Sequence, residues 1–168
     1  MDIISQIKYS RLLERNKYKL LKDSRLTEKA KFKFETALVE TEREIFELQD
    51  NCSHIGVYLG NDENNDKIVR CVLCCKKLKE SEFSELEDKH LIIDAHDYSC
   101  DRFNNHNGIQ DYMIKFDVIQ VAALRVGMNM EEPNYDKIVS TINTSIQNIN
   151  NASISRSDDS DNIYPSKK

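Results

Sequence analysis

Between Asn51 and Lys77 the sequence reads NCSHIGVYLGNDENNDKIVRCVLCCKK, and no other stretch restricts the possible folds as severely. Cys52 and His54 stand just before an alternating run, Ile55 to Leu59, while Cys71 and Cys74 stand just after a second run, Lys67 to Arg70. The segment joining the runs, NDENND from Asn61 to Asp66, is rich in short polar side chains that hydrogen-bond their own backbone and favour a turn. A turn centred between Glu63 and Asn64 places Cys71 opposite Gly56 and so returns it beside His54. Two donors then arrive from each end of one folded-back strand pair. Three thiols and one imidazole form a closed tetrahedral donor set for zinc. Cys75 is adjacent to Cys74 and is an alternative fourth ligand; spacing does not choose between them. A hairpin of roughly 12 to 14 residues is marginal alone in water, so structural Zn2+ is the expected cofactor.

Two cysteine-bearing turns at the base of a β-hairpin resemble the zinc ribbon family, over residues 51–77 only. The resemblance implies a structural zinc held by Cys52, His54, Cys71 and Cys74. Two features differ from the usual ribbon. The first turn is Cys-x-His instead of Cys-x2-Cys, and Cys75 stands where ribbons commonly place a left-handed glycine, a conformation that costs other residues about 1–2 kcal/mol.

The rest of the chain must supply the core. Hydrophobic residues make up 39% of 168 positions, charged residues 32%, and Trp is absent, so that core is small and built from Ile, Leu, Val, Phe and Tyr. Residues 2–50 contain no Gly or Pro and alternate charge signs, which predicts helices over 2–22 and 25–50 with Asp23 or Ser24 capping the second. Phe34, Leu38, Thr41, Ile45 and Leu48 form a seam on the second helix, suited to a helical hairpin, a coiled-coil dimer or one unbroken long helix. Glu40, Glu44 and Glu47 read as its solvated face.

Beyond the zinc hairpin (51–80), the segment 81–130 is mixed. Ser84 with Glu87 suggests a capping box and a helix near 83–89, and Leu91 to Ile93, too short for a helix, reads as a buried strand or a loop anchor. Ile109, Met113, Phe116, Ile119, Ala123 and Val126 repeat at helical spacing between Gly108 and Gly127 and predict a core-facing helix over 109–126. After Pro133, Ile138, Ile142, Ile146 and Ile149 mark a weaker amphipathic helix, 131–150, that needs a docking surface because Ser, Thr and Asn fill its other positions. Residues 151–168 read as a disordered tail. The expected class is α+β, mostly helical.

These features narrow function more than they define it. The net charge of −5 argues against sequence-independent nucleic-acid binding, although Lys67, Arg70, Lys76, Lys77 and Lys79 border the hairpin and make a nucleic-acid module the alternative. His90, His96, Cys100 and His106, with Asp94, Asp97 and Asp101, offer residue types for a metal-dependent hydrolase. They follow no closed-site spacing. Asp94-Ala95-His96 followed by Asn104, Asn105 and His106 has the residue types of a His-Asn-His nuclease without its pattern, because the asparagine and final histidine are adjacent and a second metal-binding Cys pair is missing. A polar surface loop is the simpler reading. No apolar run approaches the ~20 residues of a membrane span. The opening MDIISQIK lacks a signal-peptide pattern, and five cysteines form no even-numbered framework, so a reducing cytoplasm is expected. The resulting expectation is a non-enzymatic interaction or regulatory protein, with a protein partner or self-association through the N-terminal helices.

Overall fold

The computed structural model describes residues 2–22, 28–98 and 109–158. Among these the chain forms five helices and one three-stranded sheet, in the order α1 (Ile3–Lys22), α2 (Glu28–Asp50), β1 (Gly56–Asn61), β2 (Lys67–Cys71), α3 (Glu80–Asp88), β3 (Ile92–Asp94), α4 (Ile109–Met128) and α5 (Tyr135–Asp158). The α+β, mostly helical class follows. No helix among the described residues is long and apolar enough to cross a membrane.

The N-terminal helices form a hairpin within one chain. Tyr9 donates its hydroxyl to Glu44 at 2.6 Å, and Lys17 pairs with Glu42 at 3.1 Å, so α2 runs back along α1. The five seam residues Phe34, Leu38, Thr41, Ile45 and Leu48 are all half-buried. Glu44 departs from the expected solvated face: Tyr9 draws it into the interhelical groove. The expected cap at Asp23 or Ser24 lies outside the described residues.

The sheet order is β2-β1-β3, with β1 antiparallel to β2 and parallel to β3. Gly56 pairs with Cys71 as expected, but the turn is centred on Asn64, with Asn61 opposite Lys67 and the Asp62 amide on the Asp66 carbonyl, and one extra residue in β1 makes up the difference. The register then slips between Tyr58 and Asn61, where Gly60 takes φ 121°. Asp62 closes the turn by accepting the amides of Asn64 and Asp66 on its carboxylate at 2.9 and 3.0 Å.

Alternation along the strands gives the sheet two faces. On one, Tyr58 meets Phe83 of α3 with ring centroids 6.0 Å apart, and Gly56 leaves room for Ile92, whose Cδ1 lies 2.6 Å from where a Cβ would sit. On the other, Arg70 lies over Phe116 of α4 at 5.0 Å. Ile3 and Ile7 from α1, the sheet, Phe83 and Leu86 from α3, Phe116, Ile119 and Ala123 from α4, and Ile138, Ile142 and Ile146 from α5 share one core.

Two expected boundaries and one expected core position change. Helix α3 starts at Glu80 because Glu82 reaches back to accept the Lys79 amide at 2.8 Å; Ser84 is consequently interior and donates its hydroxyl to the Glu80 carbonyl. Gly127 lies inside α4 instead of ending it, and a Cβ there would stand 3.3 Å from Ile4 Cγ1, which explains a small residue at that crossing. Met113, expected in the core, is 49% exposed, its sulfur accepting from Arg70 Nη1 at 3.0 Å.

Helix α5 runs through Asp158, so residues 151–158, expected to be disordered, are helical; residues 159–168 lie outside the described set. Its docking surface is visible. Ile138, Ile142 and Ile146 are buried, and Asn143 satisfies the open edge of β3, donating to the Ile92 carbonyl and accepting the Asp94 amide, both at 3.0 Å. One side-chain amide thus stands in for a missing strand.

Candidate metal centre

Two tight turns at the base of the hairpin build the centre. Leaving α2, the chain turns through Cys52 and His54; His54 adopts φ 51° and donates its amide to Cys52 Sγ at 3.4 Å. Leaving β2, the Cys71 carbonyl accepts the Cys75 amide at 2.9 Å, and the Cys71 amide donates to the Lys76 carbonyl at 2.8 Å. The two turns are tied where Val72 donates to the Ile55 carbonyl at 2.9 Å.

Cys52, His54, Cys71 and Cys74 consequently converge, with ligand atoms all within 4.8 Å of one another. Cys52 and Cys71 sulfurs are 3.7 Å apart, and Cys74 Sγ is 3.6 Å from His54 Nδ1. Tetrahedral zinc with Zn–S near 2.3 Å and Zn–N near 2.0–2.1 Å sets two sulfurs about 3.8 Å apart, and a sulfur and nitrogen about 3.5–3.6 Å apart. Those two pairs therefore already stand at metal-compatible separations. Cys71 and Cys74 are buried while Cys52 and His54 are half-buried, so the group sits at the edge of the core.

The thiols ionise unequally. Hydrogen bonds from Cys71 and Cys74 hold the Cys52 thiol well below its usual range. Burial, then the Cys52 sulfur, pushes Cys71 up to about 12, and hydrogen bonding to Cys52 and Cys71 raises Cys74. Three thiols packed this closely oppose one another's ionisation, so ionising all of them at neutral pH calls for a bound cation.

Cys75 is excluded from this group. It occupies the left-handed region, φ 63°, as the ribbon resemblance implied, and its sulfur points into the protein toward Ser10 Oγ at 3.7 Å and Gln120 Nε2 at 3.2 Å. The geometry selects Cys74 over Cys75 as the fourth member.

Sequence reasoning missed the residues that hold the second turn. Arg70 donates through Nε and Nη2 to the Cys75 carbonyl at 3.1 and 2.7 Å. Buried Gln120 donates to the Val72 carbonyl at 2.9 Å, and its Oε1 accepts from Arg11 at 3.0 Å. The available signal was a polar residue beside the apolar stripe of α4, a position that requires partners when buried.

The histidine-rich segment forms no comparable group among the described residues. His90 is exposed at the end of α3, and His96 is held between Asp94 at 2.7 Å and Asp97 at 2.9 Å. Cys100, Asp101 and His106 lie outside the described residues. The basic cluster is partly engaged: Lys76 pairs with Glu82 at 2.6 Å, and Lys67 with Glu80 at 3.6 Å while also covering the Phe83 ring.

No protein-family model matches the chain, and no curated protein or solved structure matches it significantly.

Proposed function

We propose that this chain is a non-enzymatic interaction or regulatory protein in which one structural zinc ion, held by Cys52, His54, Cys71 and Cys74, fastens the β-hairpin to a helical scaffold. The observation carrying this reading is the convergence of four protein donors within 4.8 Å, two pairs of them at the separations of a tetrahedral zinc site. Three sulfurs and an imidazole favour zinc over hard cations such as magnesium or calcium. Four protein donors leave no coordination position for substrate or activated water, which favours a structural role over a hydrolytic one. A reducing cytoplasm suits three thiols kept available for metal.

A nucleic-acid module is the competing reading. Against it stand the net charge of −5 and the carboxylate partners of Lys67 and Lys76. Elemental analysis of the full chain, purified under reducing conditions, tests the proposal. One zinc per chain supports it, and a folded chain with no metal defeats it. Salt-sensitive association with single- or double-stranded nucleic acid, weakened by Lys76→Glu with Lys77→Glu, favours the competing reading instead.

A further inference from the structure

Phe32, Val39 and Phe46 on α2 are exposed by 73%, 65% and 68%. Spaced seven residues apart, they form a row about 21 Å long, rotated roughly 140° from the seam that meets α1. Val39 is also the midpoint of α2, Glu28–Asp50, so the two phenylalanines are equidistant from the helix centre. Charge is distributed differently. Residues 28–38 carry three lysines against two glutamates, whereas residues 40–50 carry five carboxylates against one arginine.

We propose that this face docks a second copy of the chain, α2 against α2 and antiparallel, with the two-fold axis passing at Val39. Phe32 of each copy then meets Phe46 of the other, and each lysine-bearing half lies along an acidic half. A two-fold interface requires a self-complementary patch: the row is symmetric about Val39, the two halves of α2 differ in net charge, and the antiparallel register sets the exposed Glu35 of each copy opposite the exposed Arg43 of the other. Parallel pairing sets the acidic halves against each other, where like charges repel. A single row of three side chains is small beside the roughly 1,200–2,000 Å² of a standard stable interface, so the pair dissociates on dilution. The inference rests on reading the helical half as an interaction surface and names its partner. It does not depend on the metal.

Sedimentation velocity on the full chain over a concentration series tests it, with helix content and zinc per chain measured on the same samples. The wild type is expected to move from monomer to dimer mass as concentration rises. Val39→Glu, at an exposed helical position, is expected to keep its helicity and weaken association about tenfold or more by placing charges at the axis. Glu35→Lys and Arg43→Glu should each weaken the dimer, and the double variant should restore it, because these two positions face each other in the antiparallel register and reversing both charges recreates the pairing. A wild type that stays monomeric, a Val39→Glu chain that associates as the wild type does, or a double variant no better than the singles overturns the proposal. A zinc-loaded monomer defeats only this inference, whereas a metal-free folded dimer defeats only the zinc assignment.

Discussion

Cys74 and Cys75 are neighbours with opposite destinations, and exchanging either for serine separates their roles. Cys74→Ser is expected to lose the metal, whereas Cys75→Ser retains it because its sulfur faces Ser10 and Gln120. Zinc per folded chain checks both; equal loss in the two variants contradicts the assignment. His96 supplies a second test. Hydrogen bonding to Asp94 raises its pKa above the ordinary 6.5, so its favourable contribution is present below the unfolded pKa and disappears as pH rises through the folded one. Ring resonances followed by NMR should titrate above the free-histidine value, and Asp94→Asn should bring the midpoint down; an unchanged midpoint denies Asp94 this influence. The four members of the Cys/His group could be read from spacing because their turns are local. The choice between adjacent cysteines could not, since it depends on Gln120, 45 residues away.

The elements were readable where their causes lie within them. The α2 seam follows from a helical period; the Gly56–Cys71 pairing takes both the Asn/Asp turn and the extra β1 residue between Tyr58 and Asn61. The starts and ends of α3 and α5 depend on contacts from elsewhere: Glu82 is anchored by Lys76, and the Ser-, Thr- and Asn-rich α5 is docked on β3. Asn143 is therefore expected to matter beyond helix propensity. Asn143→Ala removes two hydrogen bonds to the β3 edge and should cost about 1–2 kcal/mol in urea unfolding, with faster amide exchange at Asp94. A change near zero with unaltered exchange removes the edge-capping role.

For the molecule as a whole, the candidate metal centre and the hydrophobic core are not separate structures. Val72 and Leu73, between the two buried cysteines, are fully buried, while Gln120 connects their turn to α4 and, through Arg11, to α1. Structural zinc in small fingers contributes an apparent ~10–16 kcal/mol at neutral pH, comparable with or larger than the roughly 5–15 kcal/mol stability of a typical domain. Zinc removal should therefore disturb α4 packing as well as the hairpin. The decisive experiment is zinc analysis and amide NMR of the full reduced chain at neutral pH before and after treatment with a zinc chelator. One zinc per chain is expected initially, then loss of dispersed resonances from Cys52 through Lys77 and an altered environment at Gln120 on removal, with recovery when zinc is returned. A metal-free chain retaining the same dispersed spectrum and unfolding midpoint would contradict a structural role for zinc.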